Sequence, residues 1–320
     1  MPFLGRAAVA SGRLTAGQLR STAWCRLLRG VYVTREHVND PRVRGAALSL
    51  VLRPGEVVCG RTAAWLHGAW SPAPGRSLPL EVSRVPRAPG FEMAGMARRR
   101  LTFVLEPWPQ EAGTVWSRLD GDVVDLRGIP VTSPLRTCFD LMRERALVEA
   151  VVVADAFAAT GDVNLAILDC YARDRRRWPG IRRTRTAVSL ATAGALSPGE
   201  TRLRMTVVLA GFPEPLVNVP VVGGDGRHLG TPDLQVPGSR PVRLEYDGAY
   251  HEEHDQRARD RRRENRLLAA AAVPVLRYDR RHVTQLRHVV VREVAALTGH
   301  RPTSELDPRD FRRPPHRLAW

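Results

Sequence analysis

The stretch TPDLQVPGSRPVRLEYDGAYH, residues 231–251, decides the fold. Leu234 and Val236 alternate with polar neighbours, Pro237-Gly238 turns the chain, and Val242 to Asp247 alternates again until Gly248. A period of two is the mark of a half-buried strand. The segment therefore predicts two neighbouring strands, one from His228 to about Val236 and one over Val242–Asp247. Leu244 and Tyr246 point to the core, and Glu245 and Asp247 project together from the other face. Asp233 on the preceding strand falls beside Glu245. Carboxylates gathered at one sheet edge repel each other unless a cation sits between them. Hard divalent ions take such oxygen ligands, and Mg²⁺ uses one or two carboxylates with water and substrate phosphate. The plainer alternative is that Asp247-Gly248 is a turn and Asp233 an exposed residue paired with an arginine.

Working outward, Ser197-Pro198-Gly199-Glu200 opens an apolar helix through Leu203, Val207, Val208 and Ala210, closed by Gly211. A strand at Leu216–Val219 and a hairpin turn at Gly223-Gly224-Asp225-Gly226 follow. Beyond the deciding stretch come a long charged helix over about 252–271, a strand at Val273–Tyr278 and a helix from about His282 to Leu297. The order is helix, three antiparallel strands, helix, strand, helix. Residues 301–320 read as a polar, Pro- and Arg-rich tail.

Upstream, residues 1–60 read as two short helices and a strand, Leu27–Val33, broken by the Gly30 bend, then a helix near Arg42–Leu52. Residues 61–172 read as mixed α/β. Gly60–Gly68 (GRTAAWLHG) is a core-packing helix, the Pro- and Gly-rich 70–130 region carries short strands, and apolar helices follow Ser133-Pro134, Ala146 and Asp162. Residues 173–196 read as a basic connector with room for helix at its ends, because RDRRRWPGIRRTR (173–185) holds seven arginines with Pro-Gly in the middle. It is either a solvated linker or a strap that contacts phosphates.

The chain has 320 residues, 35.5 kDa, 43% hydrophobic and 26% charged, which fits about two globular domains. All 49 basic residues are arginine, against 33 acidic ones, for a net charge of +16. Without lysine there is no phosphate-loop lysine, no Schiff base and no kinase-type ion pair. The excess charge points to a polyanion partner, most simply nucleic acid. Cys25, Cys59, Cys138 and Cys170 are far apart with no metal-ligand spacing, so they read as apolar fillers in a reducing compartment. No leader-like or membrane-length apolar run is present, and the expected location is the cytoplasm, with no membrane partner. There is no G-x-S-x-G and no G-x-G-x-x-G after a strand, which removes serine-hydrolase and dinucleotide-binding readings.

The stretches SPGETRLR (197–204), GFPEPLVNVPV (211–221), TPDL (231–234), LEYDGAYH (244–251), DRRRENRLL (260–268) and VPVLRY (273–278) resemble the PD-(D/E)XK nuclease superfamily. Within it they look like a bacterial family related to very-short-patch-repair endonucleases. The resemblance covers about a quarter of the chain. It implies an α/β (α+β) architecture with a restriction-endonuclease-like αβββαβ core over 197–300 and Mg²⁺- or Mn²⁺-dependent hydrolysis of DNA phosphodiesters. By that resemblance Asp233 and Glu245 are the motif carboxylates and Glu200 the first-helix acid. The position normally held by lysine is Asp247, which the resemblance makes an extra metal ligand. His251 is then a base or phosphate contact, or simply the exposed start of a helix. Arg257, Arg261 and Arg263 are candidate phosphate contacts, or partners of Glu253, Asp260 and Glu264 along the helix.

A second resemblance is carried by LLRGVYV (27–33), GRTAAWLHG (60–68) and VTSPLRTCFDL (131–141), which look like antitoxin proteins of abortive-infection type IV toxin–antitoxin systems. It implies a small winged-helix-like start, with Arg20, Arg26 and Arg29 facing phosphates and a toxin as partner. Two functions from different classes follow: a metal-dependent endonuclease, or a catalytically silent, DNA-binding, antitoxin-like transcriptional regulator. A fold kept for protein–protein contact is the third.

Overall fold

The computed structural model describes residues 1–38, 40–52, 55–71, 80–84, 96–98, 101, 121–223, 225–226, 228–248 and 273–312. The chain is mixed α/β, with several small sheets and two compact units, Met1–Leu141 and Met142–Trp320.

The first unit opens with β1 (Phe3–Leu4) and α1 (Gly5–Ala10), which Ser11 and Gly12 close. The second predicted helix is a single 3-10 turn, Gln18–Arg20, held by a reciprocal pair: Thr15 Oγ1 accepts from Gln18 N and Gln18 Oε1 accepts from Thr15 N. The expected bent strand is instead a hairpin of β2 (Trp24–Leu28) and β3 (Val31–Thr34). Gly30, at φ 78°, supplies the turn and not a kink. With β1 the two make a three-stranded antiparallel sheet, order β1-β3-β2. Next come α2 (Pro41–Ser49), β4 (Glu56–Val58), α3 (Gly60–Leu66), β5 (Leu80–Arg84), β6 (Met96–Arg98), β7 (Val123–Asp125), β8 (Pro130–Thr132) and α4 (Pro134–Arg143). The five strands form a mixed sheet, order β6-β5-β4-β8-β7.

One core joins the two sheets of this unit. Leu28 and Val31 from the hairpin pack with Leu48 of α2, Ala63 of α3 and Val58, Val82 and Val131 of the larger sheet. The expected division near residue 60 is therefore absent, because the first sheet buries its apolar face against the elements that follow. Trp65 is buried on α3, as expected of a core-packing helix. Arg136 of α4 lies fully buried between Asp122 and Asp140, with 2.6 Å to Asp140.

The second unit begins with α5 (Leu147–Ala159), α6 (Leu165–Asp174) and α7 (Ile181–Ser189). The residues expected as a basic connector thus include the end of α6, the turn after it and the whole of α7. Ile181, Thr184, Ala187 and Val188 recur at helical spacing and are buried. Arginines on the other face masked that stripe in the sequence.

Next come α8 (Pro198–Leu209), β9 (Leu216–Val217), β10 (Val221–Val222), β11 (His228–Gly230), β12 (Leu234–Val236), β13 (Val242–Asp247), β14 (Val275–Asp279), α9 (Arg280–Thr284) and α10 (Arg287–Thr298). The main sheet has the order β14-β13-β12-β9, with β13 and β14 parallel and the other pairs antiparallel. The strand expected from 228 to 236 is two strands. Pro232 has no N–H to give a ladder, and β11 pairs with β10 while β12 pairs with β13 and β9. The expected charged helix at 252–271 lies outside the described residues.

Leu234, Val236, Val242, Leu244 and Tyr278 on one sheet face pack against Leu203 and Val207 of α8 and Val290 and Val294 of α10. Buried charge ties α8 to the upstream helices. Arg202 makes a two-pronged contact with Glu149 of α5 at 2.7 and 2.8 Å. Arg204 reaches Asp155 at 3.2 Å and Glu214 at 2.7 Å. The helices at 142–196 and the sheet that follows are therefore one packed body, not a domain, a linker and a second domain. Part of the expected tail belongs to it as well: Thr303 N donates to Ala210 O, and Phe311 is buried beneath the Arg287 guanidinium.

Candidate functional site

β13 pairs with β12 so that Leu244 faces Leu234 and Arg243 faces Gln235. Continuing that register by one residue sets Asp233 beside Glu245. Residues opposite each other on an antiparallel pair share a face, with Cβ atoms ~4.5–5.5 Å apart. Since Leu244 fills the core, Asp233 and Glu245 project from the other side, and both are buried. Asp247 is two residues further along that face and exposed. On the parallel neighbour, Arg277 pairs with Glu245 and Asp279 with Asp247. The ladder thus sets an exposed arginine, Arg277, opposite Glu245 in a chain that has no lysine. Arg243 lies on the same face below Glu245, and burial pushes its guanidinium down from its usual value.

Asp233 is fixed in place. Its Oδ2 accepts from Tyr246 N at 2.7 Å, and its carbonyl accepts from Asn218 N at 3.0 Å. Asn218 adopts φ 52°, the left-handed region that asparagine tolerates better than most residues. Its Nδ2 donates to Glu200 Oε2 at 3.0 Å and to Gly194 O at 2.8 Å. Asn218 therefore links the first-helix acid to the strand acid. Glu200 itself caps α8: Ser197 Oγ accepts from Glu200 N, and Glu200 Oε2 accepts from Leu196 N at 3.0 Å.

Gly199 lets this helix start approach β13. A Cβ there would lie 1.9 Å from Tyr246 Cε1, so only a residue without a side chain fits. Beyond the sheet, Asp279 and His282 form a capping box on α9 with a 2.7 Å contact. That hydrogen bond, with help from the N–H groups of Arg281 and His282, holds the Asp279 carboxyl below the usual carboxylate range.

The sequence-derived candidates are thus brought together in part. Asp233, Glu245 and Asp247 share a sheet face, and Glu200 connects to Asp233 through Asn218. Among the described residues, no three His, Cys, Asp or Glu side chains are grouped closely enough to hold a metal ion. His251, Arg257, Arg261 and Arg263 lie outside the described residues. In the first unit, Arg20, Arg26 and Arg29 are exposed, on the 3-10 turn and the β2–β3 hairpin.

Neither Asn218 nor Arg277 stands out in the sequence. Asn218 follows the β9 strand as an isolated polar residue, and only the parallel register of β14 reveals the neighbour of Glu245. Two adjacent carboxylates with oxygen ligands to offer fit a hard divalent ion that completes its shell with water and phosphate. No helix among the described residues is long and apolar enough to cross a membrane. Compared with family models, curated proteins and solved structures, the chain matches none.

Proposed function

We propose that the second unit is a metal-dependent DNA endonuclease module with the restriction-endonuclease-like core of the PD-(D/E)XK superfamily, hydrolysing phosphodiester bonds. The observation that carries this reading is the ladder register that sets Asp233 beside Glu245, with Arg277 pairing Glu245 from the other side. Asp233 and Glu245 would hold Mg²⁺ or Mn²⁺, with Asp247 at the open end of the same face. An ion of that kind would activate water for attack and neutralise charge at phosphorus. Tyr246 N–H orients the Asp233 carboxylate, and Asn218 holds the Asp233 main chain against the start of α8. Arg277, opposite Glu245 in the ladder, would supply positive charge where the motif's lysine is missing. The chain's excess of arginine, +16 in net charge, supports a phosphate-bearing substrate.

The test is nicking of supercoiled plasmid with Mg²⁺ or Mn²⁺, comparing wild type with Asp233→Asn and Glu245→Ala. The expected result is metal-dependent nicking that both substitutions abolish while thermal unfolding is preserved. Equal rates for wild type and Glu245→Ala under every metal would sink the catalytic reading.

A second reading is favoured by the engagement of the carboxylate oxygens. Asp233 Oδ2 accepts from the main chain, and Glu200 Oε2 serves Leu196 and Asn218. Acids used in this way also suit a catalytically silent, DNA-binding, antitoxin-like transcriptional regulator, with Arg20, Arg26 and Arg29 on phosphates. That protein would bind DNA with the same affinity whether or not metal or Glu245 is present.

A further inference from the structure

The turn between α6 and α7 carries the densest positive charge in the described second unit. Arg176, Arg177, Arg182 and Arg185 are exposed, and among the described residues none of them makes an ion pair. Around them, Arg173 is neutralised by Asp169 at 2.5 Å, and Arg183 feels the charge of Asp310. Arg182 and Arg185 are three residues apart on one helix, so their like charges are neighbours and repel. Arg182 and Arg183 also sit in the first turn of α7, which has no acidic residue and no side-chain cap. Positive charge there adds to the positive end of the helix dipole instead of opposing it. Asp174 is the one acidic residue within 173–185 and makes no ion pair with these four arginines, so most of that charge is left for a polyanion laid across the patch to relieve.

The turn is also built to hold its shape. Arg143 and Arg175 lie over the Trp178 ring at 4.9 and 5.7 Å, and Arg175 lies over Tyr171 at 3.3 Å. Arg143 Nη1 donates to Pro179 O at 2.9 Å. Gly180, at φ 82°, leaves room for the Arg143 carbonyl, which a Cβ would approach to 2.3 Å. A solvated linker has no need of such bracing. The buried stripe of α7 fixes which way its arginines face. Its nine residues span ~13 Å at 1.5 Å per residue, about four base steps at ~3.4 Å each along one strand.

We infer that the α6–α7 turn and the first turns of α7 form a docking surface for a nucleic-acid backbone, contacted through Arg176, Arg177, Arg182 and Arg185. The surface recognises phosphates and reads no base sequence. This inference rests on the nucleic-acid partner of the preceding reading but not on catalysis. The experiment is therefore run in EDTA, with fluorescence anisotropy of a labelled duplex between about 50 and 200 mM NaCl. It compares wild type, Arg176→Ala/Arg182→Ala/Arg185→Ala, and an equal charge loss elsewhere, Arg240→Ala/Arg292→Ala/Arg301→Ala. A Gln version of the first triple and thermal melts control for folding.

Each lost phosphate contact lowers the slope of log K against log salt by ~0.9, so three lower it by ~2.7. Over that fourfold change in salt, the wild type should gain about 40-fold more affinity than the patch variant. The second triple should keep the wild-type slope. Unchanged slopes in the patch variants overturn the docking surface, as does an equal fall in the distant triple, which would make net charge the cause. Binding to anionic vesicles but not to duplex also overturns it. Wild type that binds duplex in this way but never nicks plasmid leaves the docking surface standing and removes only the endonuclease reading.

Discussion

Replacing Arg202 by Met removes the charge that answers Glu149 across the α5–α8 contact. Both side chains are nearly inaccessible, at 9% and 3% exposure, and the two N–H···O contacts are short. The loss strands a carboxylate among buried neighbours, and breaking a buried pair in this way costs about 3–5 kcal/mol. The second unit is 179 residues long, counting from Met142 to Trp320. For a body of that size, ~2–4 °C of melting temperature accompanies each kcal/mol, so the drop should be about 6–20 °C. The double substitution Arg202→Met/Glu149→Leu removes both charges and should recover most of the loss, since an apolar pair in such a site is often neutral or better. The assay is thermal unfolding of the four proteins of the cycle by circular dichroism, with urea melts as a check. A single-mutant drop below about 2 °C, or a double mutant no better than Arg202→Met, would refute the claim that this pair clamps the helices at 142–196 to the sheet. Separate melting of a helical piece and a sheet piece in the wild type would refute it as well.

Two further outcomes follow from the site's surroundings. Gly199→Ala places a methyl group on the Tyr246 ring, so the ring must leave its pocket at about 1–3 kcal/mol, seen as a lower urea midpoint. Because Tyr246 N holds Asp233, metal-dependent nicking should fall with it, and a variant as stable and active as wild type would contradict the packing. The Asp279 carboxyl titrates below its unfolded value of ~3.9, so its contribution is complete above that value and is lost as pH falls through the lower, folded one. Side-chain and Arg281 amide signals in an NMR titration should move together below the ordinary aspartate midpoint, and an ordinary midpoint would contradict the capping geometry.

How much of this was legible in the sequence depended on whether a signal was local. The alternation of Val242–Asp247 and the Ser197–Glu200 helix start are local, and both fall where the sequence placed them. The facing of Asp233 and Glu245 followed from the same alternation. Where tertiary context decided the outcome, the sequence misled. The hairpin at Gly30 read as a bent strand because β1, the partner that completes the sheet, is only two residues long. Pro232 was visible, yet its effect, handing β11 to one sheet and β12 to another, depends on which neighbours are present. The arginine-rich 173–185 segment read as a connector because charge dominated its composition, although every third or fourth residue of α7 is buried. The place of Arg277 opposite Glu245 could not be read at all, since the register of parallel strands is set by the connection between them and not by either strand's pattern.

From Gly199 to Val207, nine successive residues of α8 are hidden. A helix enclosed on every side has no solvent face on which substitutions are neutral, so it behaves as an axle on which the outer helices and the sheet are both mounted. The joint just before it is open by comparison: Leu196 is 74% exposed. A break in the backbone there would separate two lengths of chain that still grip one another through Arg202, Arg204 and their acidic partners. The unit therefore has the makings of a two-piece protein, reassembled by contacts already in place and with both strand acids carried on the downstream piece.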